Sequence, residues 1–498
     1  MVDQEIRYTN MPYTPVKWCS VKLSDVIKAG CRLEAAVFCT DALTAVETIK
    51  SSKYGSLSLK PNKNGFVKAI YHAPRFKRNY ITNRHPNAVA FIGSSEMLDI
   101  YPIADKYITS ELAQSKKLYI KKNTVLMSCS GTIGNVTLGS NALLKFALSQ
   151  HIIRLECDLY PGYLYICLKS NLVQAQIQSL VYGKVILEIE PHHLEKIIIP
   201  NASDKIKSKI NNLILRSFEL RDKSNELIDK ATAMLVAELK LPPLHEIKTE
   251  QFDKNTNVNN YTVKLSELNG RLDGSYHIPI AKAIVKHLQK YAAEVTTVGN
   301  KRVSKDIILA GIFKRTYVEE GYGIPFLGGK EITQLIPKTE KYLSRIHHSE
   351  RYGKELKVNE NNILVTDRGT IGIVSFVPKH WGEYAVSQNV IKLVPTNDEI
   401  AGYLFVYLNS IYGKLLVQQQ TYGSVVDMID NNSLAVVPFP LLKNIETQTE
   451  INCLALEANR LRYKAYLLEQ EAMTAMNDEV LLADSEVDLT KKSGGYND

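Results

Sequence analysis

Gly131-Thr132-Ile133-Gly134 recurs as Gly369-Thr370-Ile371-Gly372, 238 residues further along a chain of 498 residues. Six more short segments recur in the same order at separations of 237 to 242 residues: Val21-Lys22-Leu23-Ser24-Asp25 and Val263-Lys264-Leu265-Ser266-Glu267, Arg32-Leu33-Glu34 and Arg271-Leu272-Asp273, Phe76-Lys77-Arg78-Asn79-Tyr80 and Phe313-Lys314-Arg315-Thr316-Tyr317, Ser149-Gln150-His151 and Ser387-Gln388-Asn389, Gly162-Tyr163-Leu164 and Gly402-Tyr403-Leu404, Tyr182-Gly183-Lys184-Val185 and Tyr422-Gly423-Ser424-Val425. Collinear matches of this extent do not arise by chance. One domain therefore occurs twice, which indicates a molecule that does one thing at two places.

Bulk composition indicates a soluble protein with a moderate excess of positive charge. Lys and Arg exceed Asp and Glu by 61 − 52 = +9, which is consistent with a polyanionic partner. The seven cysteines include no Cys-x-x-Cys pair, which argues against a disulfide framework and a zinc knuckle. The start of the chain lacks the build of a signal peptide, and no apolar run approaches the roughly 18 residues of a membrane span. We therefore expect a cytoplasmic protein with no membrane partner.

Each repeat has two parts with different sequence patterns, which predict an α+β domain followed by a long helix. Short β-branched runs such as 125–127, 152–155, 197–199, 363–365 and 390–393 predict strands, whereas 162–180 and 402–418 are helical patches. A leader (1–20) precedes the first domain (21–202), and a linker (241–260) precedes the second (261–442). Pro242-Pro243 in this linker stops the first long helix. The long helices occupy 203–240 and 443–482, and a disordered tail (483–498) closes the chain.

The two long helices carry matched heptad patterns. Apolar or small residues alternate at spacings of three and four at the positions Ile206, Ile210, Leu213, Ser217, Leu220, Ser224, Leu227, Ala231 and Met234, and again at Ile451, Leu454, Ala458, Leu461, Ala465, Leu468 and Ala472. This pattern favours two helices packed on each other as an antiparallel coiled coil. A pair of this length would form a rigid spacer of roughly 50 Å between the domains. The alternative is two separate amphipathic helices, each packed on its own domain.

The chain resembles the specificity (S) subunit of Type I restriction–modification systems from about Val21 to Leu482. The resemblance rests on the order, twice over, of Gly-Thr-Ile-Gly, Ser-Gln-His or Ser-Gln-Asn, Tyr-Gly-x-Val and then Pro200 or Pro440 before a heptad helix. It implies two target-recognition domains that each read one half of a bipartite DNA target. It also implies docking of modification (methyltransferase) subunits, expected to number two, with restriction (motor-nuclease) subunits joining through the complex. The family has no catalytic residues of its own, and the leader departs from its pattern.

Four kinds of segment supply the candidate DNA contacts. Dense Arg and Lys suit phosphates and guanine, and amides or imidazole suit adenine or phosphate. The Gly-Thr-Ile-Gly segments predict a tight strand connection in which glycine permits a positive φ, and the Tyr-Gly segments predict a turn that reaches the DNA backbone. Each also has a plainer interpretation: a solvated basic loop, structural glycines, or side chains that cap or cross-link strands. The predicted DNA-binding residues are Arg75, Lys77, Arg78, Tyr80, Ser130, Thr132, Gln150, His151, Lys184, Lys314, Arg315, Tyr317, Arg368, Thr370, Gln388, Asn389 and Ser424.

The two copies share a frame but differ in the polar side chains that it carries. Ser130 corresponds to Arg368, His151 to Asn389 and Lys184 to Ser424. Two domains with the same backbone frame but different polar side chains would recognise different bases. This predicts a bipartite, asymmetric DNA target with a gap of unspecified bases.

Signatures of catalysis are missing from the sequence. It contains no Gly-x-x-x-x-Gly-Lys-Ser/Thr phosphate loop and no Asn/Asp-Pro-Pro-Tyr/Phe methyltransferase motif, and its His-His pairs at 192–193 and 347–348 suit a metal ion poorly. We expect neither enzymatic activity nor a cofactor or metal. The alternatives are the recognition subunit of a Type II-like modification–restriction enzyme, a coiled-coil scaffold that does not bind DNA, and a diverged methyltransferase or nuclease.

Overall fold

The computed structural model describes residues 20–28, 31, 38–183, 187–247, 261–423 and 425–481. The predictions for the leader up to residue 19, the linker from 248 to 260, the tail, Lys184 and Ser424 lie outside the described residues.

The first domain combines three small sheets with short helices. Its sheets have the strand orders β2-β8-β5-β6, β4-β3-β7 and β1-β9. The elements are α1 Leu23–Lys28, α2 Thr40–Ser51, β1 Ser56–Ser58, β2 Ala69–Tyr71, β3 Ala88–Ile92, β4 Lys106–Thr109, α3 Ser110–Ser115, β5 Val125–Ser128, β6 Val136–Leu138, α4 Asn141–Leu144, β7 Ala147–Leu148, β8 Ile152–Glu156, α5 Pro161–Lys169, α6 Asn171–Ser179, α7 Pro191–Leu194 and β9 Ile198–Pro200. The central helix, α8 Asp204–Glu238, follows.

The second domain repeats this arrangement. Its sheets run β11-β18-β15-β16, β12-β14-β13-β17 and β10-β19, and only β12 lacks a counterpart among the described strands of the first domain. The elements are α9 Pro279–Tyr291, β10 Glu294–Thr297, β11 Ser304–Ile308, β12 Tyr317–Val318, β13 Gly323–Leu327, β14 Tyr342–Ser344, α10 Arg345–Arg351, β15 Ile363–Thr366, β16 Val374–Phe376, β17 Ala385–Val386, β18 Val390–Pro395, α11 Asp398–Asn409, α12 Ile411–Gln419, α13 Asn431–Ala435 and β19 Pro438–Leu441. The C-terminal helix, α14 Ile445–Ala475, ends in a π-helical turn, Met476–Leu481. The predicted α+β class with two repeated domains is confirmed.

Each predicted helical patch is two helices rather than one. The break falls at Ser170 in the first domain and at Ser410 in the second, where the hydroxyl donates to a carbonyl of the preceding turn. Because a Ser hydroxyl competes for backbone hydrogen bonds, it favours ending one helix and capping the next. The second pair, α11 and α12, bends by 77°, and no single helix among the described residues is long and apolar enough to span a membrane.

The Gly-Tyr-Leu segments allow each domain to pack closely against a long helix. The amide of Gly162 donates to the side chain of Asn211 at 2.9 Å, and the amide of Gly402 donates to that of Asn452 at 2.8 Å. A Cβ at Gly162 would lie 2.8 Å from the backbone oxygen of Asn211. Only glycine therefore allows the helix to approach this closely.

The central and C-terminal helices pack against each other and run antiparallel. Ser217 donates to the carbonyl of Ala465, Arg462 to the hydroxyl of Ser224, and Lys230 pairs with Glu450, so numbering rises along one helix as it falls along the other. The antiparallel coiled coil is confirmed, and two helices that pack only on their own domains are excluded.

The predicted heptad positions are half right. The positions at Ile210, Ser217, Ser224 and Ala231 are buried, as are their counterparts on the second helix, but the alternate positions are displaced by one residue. The buried residues at the alternate positions are Ile214, Ile228 and Leu235 on one helix and Ala455, Arg462 and Glu469 on the other. The predicted leucines are only half-buried: Leu213, Leu220, Leu227, Leu454, Leu461 and Leu468. Each helix packs against both its partner and a domain, so its buried face is wider than a coiled-coil seam.

The helices are not the only link between the two domains. Asp99 and Gln334, which occupy equivalent loops, form an antiparallel β-bridge, and the amide of Ile100 donates to the carbonyl of Thr333 at 2.9 Å. Asn225 of the central helix donates to the carbonyl of Ile100 at 2.7 Å. The two domains therefore also contact each other directly, across an approximate two-fold axis, in addition to packing on the helix pair.

Candidate nucleic-acid interface

Three segments of each domain are joined by backbone hydrogen bonds at the ends of the central strands. In the first domain the amide of Cys129 donates to the carbonyl of His151 (3.1 Å), and the amide of Ile189 donates to the carbonyl of Cys129 (3.0 Å). In the second domain Asp367 and Ile429 repeat this pattern with Asn389. The Gly-Thr-Ile-Gly turn, the Ser-Gln-His/Asn turn and the end of the Tyr-Gly hairpin therefore share one surface.

The Gly-Thr-Ile-Gly turn is a rigid frame. Its glycines have positive φ in both copies, +75° and +85° at Gly131 and Gly134, as predicted. The hydroxyl of Ser128 donates to the carbonyl of Thr132, and Thr366 does the same for Thr370. The threonine side chains themselves are exposed at the tip of the turn. The carbonyls and glycines build the frame, and the exposed side chains stay candidate contacts.

A cleft in the first domain collects four of the predicted residues: Arg75, Ser130, Gln150 and His151. Burial lowers the pKa of His151, as do the neighbouring charges of Arg78 and Arg75, so its imidazole is neutral at pH 7. A neutral imidazole offers one donor and one acceptor, which suits a base edge better than a phosphate.

The same cleft holds three residues that are not among the predicted DNA-binding residues: His72, Glu188 and Glu190. Glu188 contacts Arg75 at 3.3 Å, and His72 lies 2.8 Å from Glu190. Both carboxylates lie between the Tyr-Gly turn and Pro191, and Asp430 occupies the position of Glu190 in the second copy. This recurrence of an acidic residue is the sequence pattern that could have indicated a functional role for Glu190. Carboxylates accept from the exocyclic amine of cytosine.

The duplicated basic segments adopt the same aromatic scaffold. The guanidinium of Arg78 lies 5.9 Å from the ring centre of Phe91, and that of Arg315 lies 5.8 Å from Phe326. Tyr80 and Tyr317 pack at 6.2 and 6.3 Å against the same two rings and are 44% and 42% exposed. Lys77 and Lys314 are exposed beside them. Each guanidinium is therefore positioned by a cation–π contact with the ring.

In the second domain the Arg368 guanidinium is held by its neighbour. It donates to one oxygen of the buried Asp367 carboxylate at 2.8 and 3.0 Å. Burial raises the pKa of Asp367, although the bond from Arg368 opposes this shift. The pair fixes the direction of an exposed arginine, which is what bidentate recognition of guanine requires.

Several buried polar atoms at these two sites have no hydrogen-bond partner within the described part of the chain. A buried polar atom without a partner costs about 1–3 kcal/mol, so an ordered water or a bound ligand is expected to supply the missing hydrogen bonds. At the candidate sites they are Gln150 Oε1, Arg315 Nε, Asp367 Oδ1, Gln388 Oε1 and Asn389 Oδ1. The described residues contain no cluster of His, Cys, Asp or Glu able to hold a metal ion.

Comparison with known proteins identifies the family. The Type I restriction modification DNA specificity domain matches residues 15–230 and 277–452, which correspond to the two repeats. The chain belongs to this family. No curated protein matches the chain.

Solved structures of S subunits are also similar to this chain. The S subunit of a Type-I restriction-modification system from M. genitalium is 15% identical over 86% of this chain and 96% of its own, with a TM-score of 0.31. The HsdS subunit from Thermoanaerobacter tengcongensis is 14% identical over 82% and 93%, with a TM-score of 0.25.

Proposed function

We propose that this chain is the non-catalytic DNA-reading subunit of a Type I restriction–modification complex and recognises a bipartite, asymmetric target. One observation carries the proposal: two equivalent surfaces have the same backbone frame, present polar atoms without internal partners, and differ in side chains. His151 in one copy corresponds to Asn389 in the other, and Ser130 to Arg368. Different hydrogen-bonding groups on one frame would read different bases.

The proposal includes docking of two modification subunits, with restriction subunits joining through the complex. Two partners are expected because the approximate two-fold axis presents each outer surface twice. A recognition subunit of a Type II-like enzyme would share the same DNA-reading surfaces. Co-purification of separate modification and restriction polypeptides with the full chain would distinguish the two.

Exchange of residues 21–200 for the corresponding domain of an unrelated S subunit should change one half of the methylated motif. The second half-site should stay the same because its reading residues lie in the second domain. The measurement is sequencing of methylated sites in cells that also express the modification subunit. A simultaneous change of both half-sites would contradict independent reading.

Neutralising Lys77 and Arg78 to Gln should weaken DNA binding and flatten its salt dependence. Each lost phosphate contact removes about 0.9 from the slope of log K against log salt, so a change of roughly one to two is expected. The matched control is Arg216→Gln with Lys223→Gln, which removes the same charge from exposed positions of the central helix. Equal slopes for the two double variants would assign this segment to a solvated basic loop.

Asn389→Ala should relax base preference at one position of the second half-site and leave the salt slope unchanged. An amide that pairs with adenine N6 and N7 is worth about 1–3 kcal/mol of discrimination. Binding to a panel of duplexes with each half-site base substituted gives the readout. Uniform weakening across the panel, with no loss of preference, would mean that Asn389 only braces the strand beside it.

A further inference from the structure

A cleft lies at the junction of the two domains and the C-terminal helix. It is lined by the loop that carries Tyr101 in the first domain, by Asn409 and Lys414 in the second, and by Arg462 of the C-terminal helix. The twelve residues that line it include two cations and no carboxylate. None of the predicted DNA-binding residues lines this cleft, although Gly372 of the second Gly-Thr-Ile-Gly turn does.

Arg462 is the unusual feature of the cleft. Its side chain is 4% exposed, and its Nε donates to the hydroxyl of Ser224 at 3.4 Å, which is its one hydrogen bond among the described residues. It forms no ion pair with any described residue, and Tyr101, its neighbour in the cleft, donates a hydrogen bond to Asp229. Burial lowers the pKa of Arg462 to about 10, so the guanidinium is still charged at pH 7.

The repeat explains why this arginine lacks a partner. Arg462 corresponds to Arg221 of the central helix, 241 residues earlier, and Arg221 pairs with the buried Glu469. The counterpart of Glu469, again 241 residues earlier, is Ile228, which is buried and apolar. One of two equivalent arginines therefore has an internal carboxylate and the other does not.

A buried cation without a counter-charge costs several kcal/mol, and an anion in the cleft would remove that cost. The lining suits an oxyanion. The guanidinium offers N–H donors, Lys414 offers an ammonium, and the Asn409 amide and Ser375 hydroxyl supply further hydrogen bonds.

We propose that this interdomain cleft binds a small oxyanion of the phosphate class, held by Arg462 and Lys414. The bound anion contacts both domains and the C-terminal helix, and so fixes the position of one domain relative to the other. Two sources have the same chemistry: free inorganic phosphate and a phosphate of the DNA backbone.

The test uses the full chain and inorganic phosphate, with sodium chloride at matched ionic strength as the reference. The melting temperature should rise with phosphate concentration beyond the chloride reference, and calorimetric titration should give saturable binding. Arg462→Met should remove this response, and Lys414→Gln should weaken the phosphate Kd about tenfold. Arg460→Gln, an exposed change on the same helix, should keep the wild-type response. No phosphate-specific response in the wild-type chain, or an unchanged response in both Arg462→Met and Lys414→Gln, would overturn the proposal.

A second arm identifies the source of the anion. If phosphate competes with a short duplex and Arg462→Met weakens duplex binding, the occupant is a DNA phosphate. If Arg462→Met removes phosphate binding and leaves duplex affinity within twofold, the occupant is the free ion. Lys414→Gln keeps this arm informative if Arg462→Met fails to fold.

Discussion

Replacing Glu469 with Gln is expected to lower the free energy of unfolding by about 3 kcal/mol. The Glu469 carboxylate is 2% exposed and forms ion pairs with both Lys169 of the first domain and Arg221 of the central helix. It also accepts a hydrogen bond from the hydroxyl of Tyr165 at 3.0 Å. The glutamine keeps the shape but leaves two cations without a counter-charge. The loss falls at the low end of the usual range because the Lys169 side chain is 26% exposed.

Chemical denaturation of the full chain gives the measurement, and Glu457→Gln is the matched control. Glu457 lies on the same helix and pairs with Arg460 at the surface, so its loss should change stability by less than about 1 kcal/mol. A triple variant, Glu469→Leu with Lys169→Met and Arg221→Leu, should recover most of the stability because no charge stays buried. Similar losses of unfolding free energy for Glu469→Gln and Glu457→Gln would show that the buried ion pairs of Glu469 stabilise the fold no more than a surface ion pair does.

The same carboxylate predicts how stability depends on pH. Although burial alone would raise its pKa, the charges of Lys169 and Arg221 lower it from 4.5 to about 2. A group whose pKa is lower in the folded state stabilises the fold above its unfolded pKa. This contribution is therefore complete above about pH 5 and is lost as the pH falls from there toward 2. Glu469→Gln should show a smaller decline across this range than the wild-type chain.

Gly402→Ala is expected to cost about 2–3 kcal/mol and to loosen the second domain from the C-terminal helix. A Cβ at this position would collide with the backbone oxygen of Asn452 and lie 3.0 Å from the Cβ of Ala455. Neither atom belongs to a flexible side chain, so α11 must move away from the helix. That movement also strains the two hydrogen bonds that Asn452 accepts from the amides of Gly402 and Tyr403.

Gly353→Ala is the control for this prediction, because a Cβ there meets no atom within 4 Å and the backbone needs no positive φ. Its effect should stay within about 0.5 kcal/mol. Gly162→Ala, the same change in the first domain, should resemble Gly402→Ala. If both Gly162→Ala and Gly402→Ala kept the wild-type free energy of unfolding, the close approach of helix and domain would not be required for stability.

The sequence predicted the features that depend on local pattern and on repetition. The strands at Val125–Ser128 and Ile363–Thr366 follow from β-branched runs, and the antiparallel helices follow from matched periodicity. Four predicted residues of the first domain do meet in one cleft, because the repeat marks the loops that share a sheet edge.

What the sequence could not predict depends on partners that are distant along the chain. Arg462 and Glu469 occupy heptad positions where apolar residues are usual, so periodicity alone moved the expected seam to Leu461 and Leu468. The contact between Asp99 and Gln334 joins residues 235 positions apart, and no local pattern marks it. The carboxylates of the first cleft do not belong to the cation-rich pattern that the sequence predicts for a DNA-binding surface.

Only one of the two equivalent arginines has an internal carboxylate partner, and this difference also affects which halves of the molecule can pair with each other. Arg221 meets Glu469 only when a first-half helix lies against a second-half helix. Two first halves placed together would set each Arg221 near Ile228, and both guanidinium groups would lack a carboxylate. Two second halves placed together would instead set each Arg462 near a Glu469. The single glutamate in an otherwise repeated framework therefore disfavours only the association of two first halves from separate chains.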